Sequence, residues 1–202
     1  GFVVEPIERL TLSLDYYYIQ LRQAVQSLTA QEILNQCAST GVLCDLITRD
    51  VNGELTRGSI IADPLNAAGY RQKGVDGKAS YEIRTSAFGR YTLSTTATYL
   101  FSSHYQTTVI SPDLQQIGYA SVPRYRFTTM IDWSRGPFGA SLVYLYVPRI
   151  PGSNASLPAT RDQYLPKFDQ VNAQISYAIG KWGTVRAGIN NLFGSEPPID
   201  PT

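Results

Sequence analysis

The stretch Thr184–Pro198, TVRAGINNLFGSEPP, combines a strand pattern with an abrupt end. Apolar side chains alternate with polar or small ones from Val185 to Asn190, which predicts a β-strand whose two faces differ in character. This pattern then meets Gly194 and the pair Pro197-Pro198. Because proline has no backbone N–H to donate to a neighbouring strand, pairing is predicted to stop there. The stretch therefore predicts a strand that ends in a proline-rich loop.

The same period-two alternation recurs along most of the chain. Between Tyr91 and Phe101 one face carries aromatic and aliphatic side chains and the other carries threonine and serine, with aromatic residues at both ends of the run. Aromatic residues that bracket an apolar band are typical of membrane-spanning β-strands. The segment Ala140–Val147 is apolar on both faces, so its orientation stays open. Seven strands are predicted, over Arg9–Tyr18, Asn66–Arg84, Tyr91–Phe101, Arg124–Ser134, Ala140–Val147, Phe168–Ile179 and Thr184–Asn190. Before them, Glu5–Ile7 is predicted to form a short turn.

One predicted strand carries a heavily charged face. Between Val75 and Arg84 the polar face consists of Asp76, Lys78, Ser80, Glu82 and Arg84. Unpaired polar groups are costly inside a β-sandwich, whereas a lumen that is filled with water or with a plug could hold them.

The connections between the predicted strands alternate in length. Those at Ser86–Gly89, Arg135–Gly139 and Gly180–Gly183 are short, whereas 26–63, 106–123 and 148–166 are long. Outer-membrane barrels have short periplasmic turns and longer extracellular loops. The pattern thus predicts an antiparallel, up-and-down transmembrane β-barrel. Since an open sheet leaves unpaired edges in lipid, about seven strands need further strands before Gly1 and after Thr202. Residues 1–202 are therefore expected to be part of a longer barrel domain.

Composition excludes several classes of protein. The formal net charge is +1 and only 16% of residues are charged, so no basic excess indicates nucleic acid as a partner. No run reaches about 18 apolar residues, the length of a membrane helix. The 14 tyrosines suit a membrane interface, and they suit a saccharide-binding cleft as well.

No catalytic or cofactor pattern is found. The sequence lacks GxSxG, HExxH, P-loop and dinucleotide fingerprints, so no enzyme activity is predicted. His104 is the only histidine, which leaves too few ligands for a structural zinc site. We therefore predict no catalytic, cofactor-binding or metal-binding residues.

The longest connection contains a predicted helix and both cysteines. Residues Ala30–Gln36 have helical character, with Thr29 as the predicted N-cap. Cys37 and Cys44 follow in a polar segment, and their close spacing predicts a local disulfide formed in an oxidising compartment. The alternative is two free thiols in a cytosolic protein.

Several motifs together resemble the C-terminal part of the barrel of TonB-dependent outer-membrane receptors. The segments that show this resemblance are EPIERLTLSLDYYYI, ILNQC with a second cysteine in the next loop, GVDGKASYEI, TMIDWSRGPFGASLVYLYV and the opening stretch. In the opening stretch the motif residues are Asn190, Asn191, Leu192, Phe193, Pro197 and Pro198. The resemblance implies a barrel of about 22 strands. The plug domain, the TonB box and the final strand are expected to lie outside this segment.

The resemblance also implies a function. A TonB-dependent receptor of Gram-negative bacteria takes up a large scarce solute, such as a ferric siderophore, cobalamin or an oligosaccharide, with energy delivered through TonB. The expected partners are outer-membrane lipid and lipopolysaccharide, TonB through the missing N-terminal region, and an extracellular small molecule. Candidate ligand contacts lie in the long loops: His104, Tyr105, Tyr119, Arg161 and Tyr164. The alternatives are a passive porin and a secreted β-sandwich that binds saccharide.

Overall fold

The computed structural model describes residues 1–106, 113–118, 122–151 and 164–198, and strands dominate it. The strands are β1 (Phe2–Ile7), β2 (Leu10–Gln26), β3 (Leu65–Thr85), β4 (Gly89–Gln106), β5 (Leu114–Gln115), β6 (Tyr125–Arg135), β7 (Phe138–Val147), β8 (Ile150–Pro151), β9 (Tyr164–Leu165), β10 (Phe168–Ala178) and β11 (Thr184–Ile189). One α-helix, α1 (Ala30–Thr40), interrupts them, together with short 3-10 turns at Cys44–Leu46 and Gly180–Trp182.

The long strands form one continuous sheet in the order β1-β2-β3-β4-β6-β7-β10-β11. The short β5 adds to β4, and β8 pairs separately with β9. The pairs β1–β2, β4–β6, β6–β7, β7–β10 and β10–β11 are all antiparallel. Each long strand therefore pairs with the next long strand along the chain, which confirms the predicted up-and-down sheet and disagrees with the sandwich alternative. Within the described residues the sheet is open, with β1 and β11 as its edges.

The prediction of a turn at Glu5–Ile7 was wrong, because those residues belong to β1. Pro6 is tolerated there for two reasons. It lies on an edge strand, and the register against β2 shifts between Val4 and Ile7, so no ladder donor is needed at that position. The chain turns instead around Arg9, whose φ is +67°.

The strand register places apolar side chains beside apolar ones, and mainly polar side chains beside each other, across four neighbouring strands. Leu93 pairs with Ile131, Ile131 pairs with Leu142, and Leu142 pairs with Ala173. On the opposite face Ser94 pairs with Met130 and Thr92 with Asp132. The alternation seen in each single strand thus becomes a continuous apolar face and a continuous, mainly polar face.

The register also orients β7, which the sequence left open. Leu142, Tyr144 and Tyr146 pair with Ile131, Thr129 and Phe127 and so belong to the apolar face. The other set, Val143, Leu145 and Val147, therefore lies on the mainly polar face and forms an apolar strip there.

The short turn from β3 into β4 depends on Gly89. Its φ is +87°, a left-handed conformation that glycine adopts readily. A Cβ at this position would lie 2.3 Å from the Ser134 carbonyl oxygen. The backbone of the neighbouring strand at Ser134 therefore lies so close to Gly89 that no side chain fits at this position.

The chain divides into two compact units. Unit 1 comprises Gly1–Tyr18, Gln72–Ser103 and Gln116–Thr202, and it contains β6, β7, β10 and β11. Unit 2 comprises Ile19–Arg71 and His104–Gln115, and it contains α1. The strands β2, β3 and β4 have 17, 21 and 18 residues, whereas about 9–11 residues suffice for a tilted strand to cross a membrane.

The helix α1 begins as the sequence predicted and runs four residues further, to Thr40. Thr29 and Glu32 form a capping box, in which the Glu32 N–H donates to Thr29 Oγ1 at 3.2 Å and the Thr29 N–H donates to Glu32 Oε2 at 2.8 Å. The backbone hydrogen bond from Thr29, followed by the one from its hydroxyl, lowers the pKa of Glu32. The helix ends at Gly41, whose φ is +74°.

A disulfide joins Cys37 in α1 to Cys44 beyond it, with the two Cα atoms 4.9 Å apart. Leu28 and Ile33 are buried beside this region, and Ile33 has no exposed surface. The unit thus has a small core of its own. Within the described ranges, no helix has both the length and the apolar character that crossing a membrane would require.

Candidate functional site

The apolar face of unit 1 is bordered by aromatic side chains at both ends. At the end with the short turns, the rings of Phe138 and Tyr177 lie 5.0 Å apart and Trp133 Nε1 donates to the Phe88 carbonyl at 2.7 Å. At the other end, the rings of Phe127 and Tyr146 stack at 4.9 Å. Along β7 the backbone rises about 27 Å from Phe138 to Tyr146, the residues at the two aromatic borders. With a strand tilt of about 40° from the barrel axis, this length corresponds to a height of about 20 Å along that axis. This height is somewhat less than the apolar band of about 25 Å that outer-membrane barrels present to lipid.

The aliphatic side chains inside this band are exposed. Leu93, Ile131 and Leu142 keep 44%, 43% and 39% of their surface accessible. Large apolar patches of this kind are unusual on proteins that face water. The band therefore needs an apolar solvent, which a bilayer supplies.

The opposite face of unit 1 contains a hollow of about 700 Å³. Charged side chains line it, with Asp76, Lys78 and Arg126 among them, and Thr98 Oγ1 donates to Asp76 Oδ1 at 2.7 Å. Leu145 and Val147 of the apolar strip on β7 form another part of its wall. This surface can hold water or a mixed polar and apolar partner.

A second hollow, of about 540 Å³, lies within unit 2. It contains His104 of β4, whose Nδ1 lies 3.2 Å from Asp113 Oδ2 without the alignment of a hydrogen bond. The Arg71 guanidinium forms an ion pair with the same carboxylate. Arg22 of β2 also lines the hollow.

A sequence model of the family described as TonB dependent receptor-like, beta-barrel, matches residues 1–192. The chain belongs to this family. TonB-dependent receptor barrels lie in the outer membrane of Gram-negative bacteria. The family is one of receptors and transporters and not one of enzymes.

A solved structure supports the same fold for this TonB-dependent receptor segment. The FrpB iron transporter from Neisseria meningitidis (F3-3 variant) matches it with a TM-score of 0.53 at 14% identity. The match covers 95% of this chain and 26% of that transporter, so the segment spans about a quarter of the transporter's length. The search of curated proteins finds no match.

The receptor motif at the end of β11 forms a hydrogen-bonded turn. Asn191 has a φ of +55°, which asparagine tolerates better than most residues. Its side-chain amide donates to the Ser195 carbonyl at 2.9 Å, and its side-chain oxygen accepts from the Ser195 N–H at 2.8 Å. The Asn191 N–H donates to Asn172 Oδ1 at 2.8 Å, and the Leu192 N–H donates to the Val171 carbonyl at 2.7 Å. Asn191 thus ends the strand and ties its loop to β10.

The predicted ligand contacts that the structure describes are divided between the two units. His104 and Tyr105 belong to unit 2, where Tyr105 donates its hydroxyl hydrogen to Gln26 Oε1. Tyr164 belongs to unit 1, and the Arg149 guanidinium lies 4.7 Å from the centre of its ring. The other two predicted contacts, Tyr119 and Arg161, lie outside the described residues.

Sequence reasoning missed the neighbours of His104. No local sequence motif marks these neighbours, which are Arg22, Arg71 and Asp113. They come from three separate segments of the chain. Strand pairing brings the segment around Asp113 to β4, where His104 pairs with Gln115.

Among the residues whose positions are described, no group of His, Cys, Asp and Glu side chains is arranged to hold a metal ion.

Proposed function

We propose that this chain is a wall segment of an active transporter that takes up a large scarce solute across the outer membrane. The solute is a ferric siderophore, cobalamin or an oligosaccharide, and TonB delivers the energy. The observation that carries the proposal is the division of one sheet into an apolar, aromatic-bordered face and a polar face with charged side chains. Such a wall separates lipid from a hydrated lumen.

The remainder of the receptor supplies the other parts in this proposal. A plug domain and further strands, including a final strand, complete the barrel domain to which residues 1–202 contribute. TonB contacts the N-terminal region of the whole protein and not this segment. Outer-membrane lipid and lipopolysaccharide contact the apolar face, and the solute approaches from the extracellular loops.

We place His104 first among the predicted ligand contacts, because it lines a hollow. Tyr105 and Tyr164 remain candidates whose present contacts are with Gln26 and Arg149. Tyr119 and Arg161 are proposed from the sequence alone. The similar FrpB protein is titled an iron transporter, so ferric complexes are the first solutes to test.

The test is uptake by the intact receptor in its own bacterium. Cells with the full-length gene, cells with the gene deleted, and cells that lack TonB are compared for uptake of labelled ferric siderophores, cobalamin and oligosaccharides. The proposal expects one solute whose uptake falls to background both without the receptor and without TonB. Uptake that needs the receptor but persists without TonB would instead identify a passive porin. No loss of uptake for any solute would contradict both.

A further inference from the structure

Both tryptophans of the chain lie at the end of the sheet that has the short turns. Trp133 is near the end of β6, and Trp182 lies in the turn between β10 and β11. The aromatic border at the opposite end contains phenylalanine and tyrosine, as in the stacked rings of Phe127 and Tyr146. Tryptophan suits the level of lipid headgroups, because its ring is apolar and its N–H can form a hydrogen bond. The two borders of the apolar band therefore differ in chemistry.

The turn that carries Trp182 is held by backbone hydrogen bonds. The Trp182 N–H donates to the Ile179 carbonyl at 2.9 Å, and the Ile179 N–H donates to the Gly183 carbonyl at 2.8 Å. Even so, 83% of the Trp182 surface is accessible. A ring of this size gains much free energy when its apolar surface is covered. The fold thus presents the ring outward in an ordered turn without covering it.

A cationic side chain accompanies each tryptophan. Arg135 lies two residues after Trp133 on β6, and it pairs with Phe138 of the apolar face. Since residues two apart on a strand share a face, Arg135 lies on the apolar face at its border. Lys181 Nζ lies 5.4 Å from the centre of the Trp182 ring. Both Arg135 and Lys181 are exposed.

The two cations belong to neighbouring turns. The strands β7 and β10 pair as far as Phe138 and Tyr177, and the next N–H, that of Ala178, donates to the Pro137 carbonyl at 2.8 Å. Lys181 follows three residues later. Neighbouring strands lie about 4.8 Å apart, so the two turns form one continuous patch of surface. All of these residues belong to unit 1.

The charge of this patch is uncompensated. Among the residues that the structure describes, neither Arg135 nor Lys181 forms an ion pair with a carboxylate. The acids close to the other two short turns, Glu8 and Glu82, are each paired with an arginine. An apolar border with two free positive charges and two indole rings is complementary to a headgroup that has a negative charge and acyl chains.

We propose that Arg135 and Lys181 bind the phosphate of an acidic phospholipid in the leaflet beside the short turns, with the Trp182 ring against the same headgroup. The planar guanidinium of Arg135 matches two phosphate oxygens, and the Lys181 ammonium adds a point charge. The inference rests on the proposed function, because it names the lipid that contacts one border of the same barrel wall.

The test is native mass spectrometry of the purified full-length receptor, titrated in detergent with phosphatidylglycerol or with phosphatidylcholine. Both lipids carry a phosphate, but only phosphatidylglycerol has a net negative charge. The test variant combines Arg135→Gln with Lys181→Gln, and a conservative variant combines Arg135→Lys with Lys181→Arg. The matched control is Arg186→Gln on β11, because Arg186 pairs with Ser176 on the opposite, mainly polar face near the same end of the sheet.

Phosphatidylglycerol is expected to bind more tightly than phosphatidylcholine. The double glutamine variant should weaken phosphatidylglycerol binding about 10- to 30-fold, since each basic residue near a lipid surface contributes a similar electrostatic gain. The conservative variant and Arg186→Gln should keep most of the affinity. An excess of inorganic phosphate should not displace the lipid, because it has no acyl chains to contact the indole rings and the apolar face.

Three results would overturn the inference. The first is equal affinity of the unaltered receptor for the two lipids, which needs no variant to fold. The second is an affinity for phosphatidylglycerol that the double glutamine variant leaves unchanged or that Arg186→Gln lowers equally. The third is complete displacement by inorganic phosphate, which would indicate a general anion site. None of them affects the proposed transport function, which the uptake experiment tests separately.

Discussion

The sheet of unit 1 and the helix region of unit 2 place the same kinds of side chain in opposite surroundings. In the sheet, Leu93, Ile131 and Leu142 are exposed on one face. Around α1, Leu28 and Ile33 are buried within the protein. The sheet thus leaves its apolar side chains uncovered by protein, whereas the helix region buries its apolar side chains in a small core.

This difference changes what stabilises each region. The sheet depends on inter-strand hydrogen bonds and, under the proposed function, on lipid that covers its apolar face. The helix region has only a small core, so it depends on the capping box and on the disulfide between Cys37 and Cys44. Substitutions can test this contrast, each made in the full-length receptor.

The largest effect is expected from Leu142→Lys. Leu142 lies midway along β7, four residues from both Phe138 and Tyr146 at the two aromatic borders. A lysine facing lipid near the bilayer centre should lower the free energy of unfolding by about 3 kcal/mol. The measurement is urea unfolding of the receptor in lipid vesicles.

The matched control is Ser141→Lys, one residue earlier on the same strand and on the polar face, where Ser141 pairs with Asp132. Its effect should stay below about 0.5 kcal/mol. Equal effects of the two lysines would contradict the assignment of the faces.

A smaller effect is expected from removing the disulfide with Cys37→Ser and Cys44→Ser together. The bridge joins cysteines seven residues apart, and loop-closure entropy then accounts for about 2 kcal/mol of local stability. The helix region should therefore open more often and be cleaved faster by trypsin at Arg49 or Arg57. Urea unfolding of the spanning sheet should not change. If the sheet is destabilised equally, the two regions do not differ in the way described.

The smallest effect is expected from Thr29→Ala, which removes the N-cap of α1. The loss should be about 1 kcal/mol at neutral pH, measured as reduced hydrogen-exchange protection of the α1 amides. The cap holds the pKa of Glu32 below its ordinary value. Its contribution is therefore present above the unfolded-state pKa of about 4.3 and is lost as the pH falls through the lower folded-state pKa.

The variant should lose this acid sensitivity, while Thr29→Ser, which keeps the hydroxyl, should retain it. Acid sensitivity that survives in Thr29→Ala would show that a group other than Glu32 is responsible.

Local patterns were enough to predict much of the fold. Alternation over Tyr91–Phe101 predicted β4, and Thr29 before Ala30–Gln36 predicted the start of α1, because both signals come from residues close together in sequence. Alternation could not orient Ala140–Val147, since both of its faces are apolar. Alternation also could not show that β1 continues past Pro6. A strand tolerates proline at a sheet edge, and whether a strand lies at an edge depends on its neighbours.

The candidate site was predictable only in small part. His104 stood out as the single histidine in a loop-like segment. Arg22, Arg71 and Asp113 did not stand out, because charged residues in polar segments are common and their proximity comes from strand pairing.

Four local patterns suffice to predict the class of this protein: strands with alternating faces, connections of alternating length, a capped helix with two nearby cysteines, and the NNLF motif. These are properties of adjacent residues and of backbone geometry. Local patterns do not predict the orientation of β7, the role of Asn191 in closing the loop after β11, or the grouping of Arg22 with His104, which became visible only in the folded chain. Each of these depends on which strands are neighbours and in which register, and register is fixed by contacts between residues far apart in the chain.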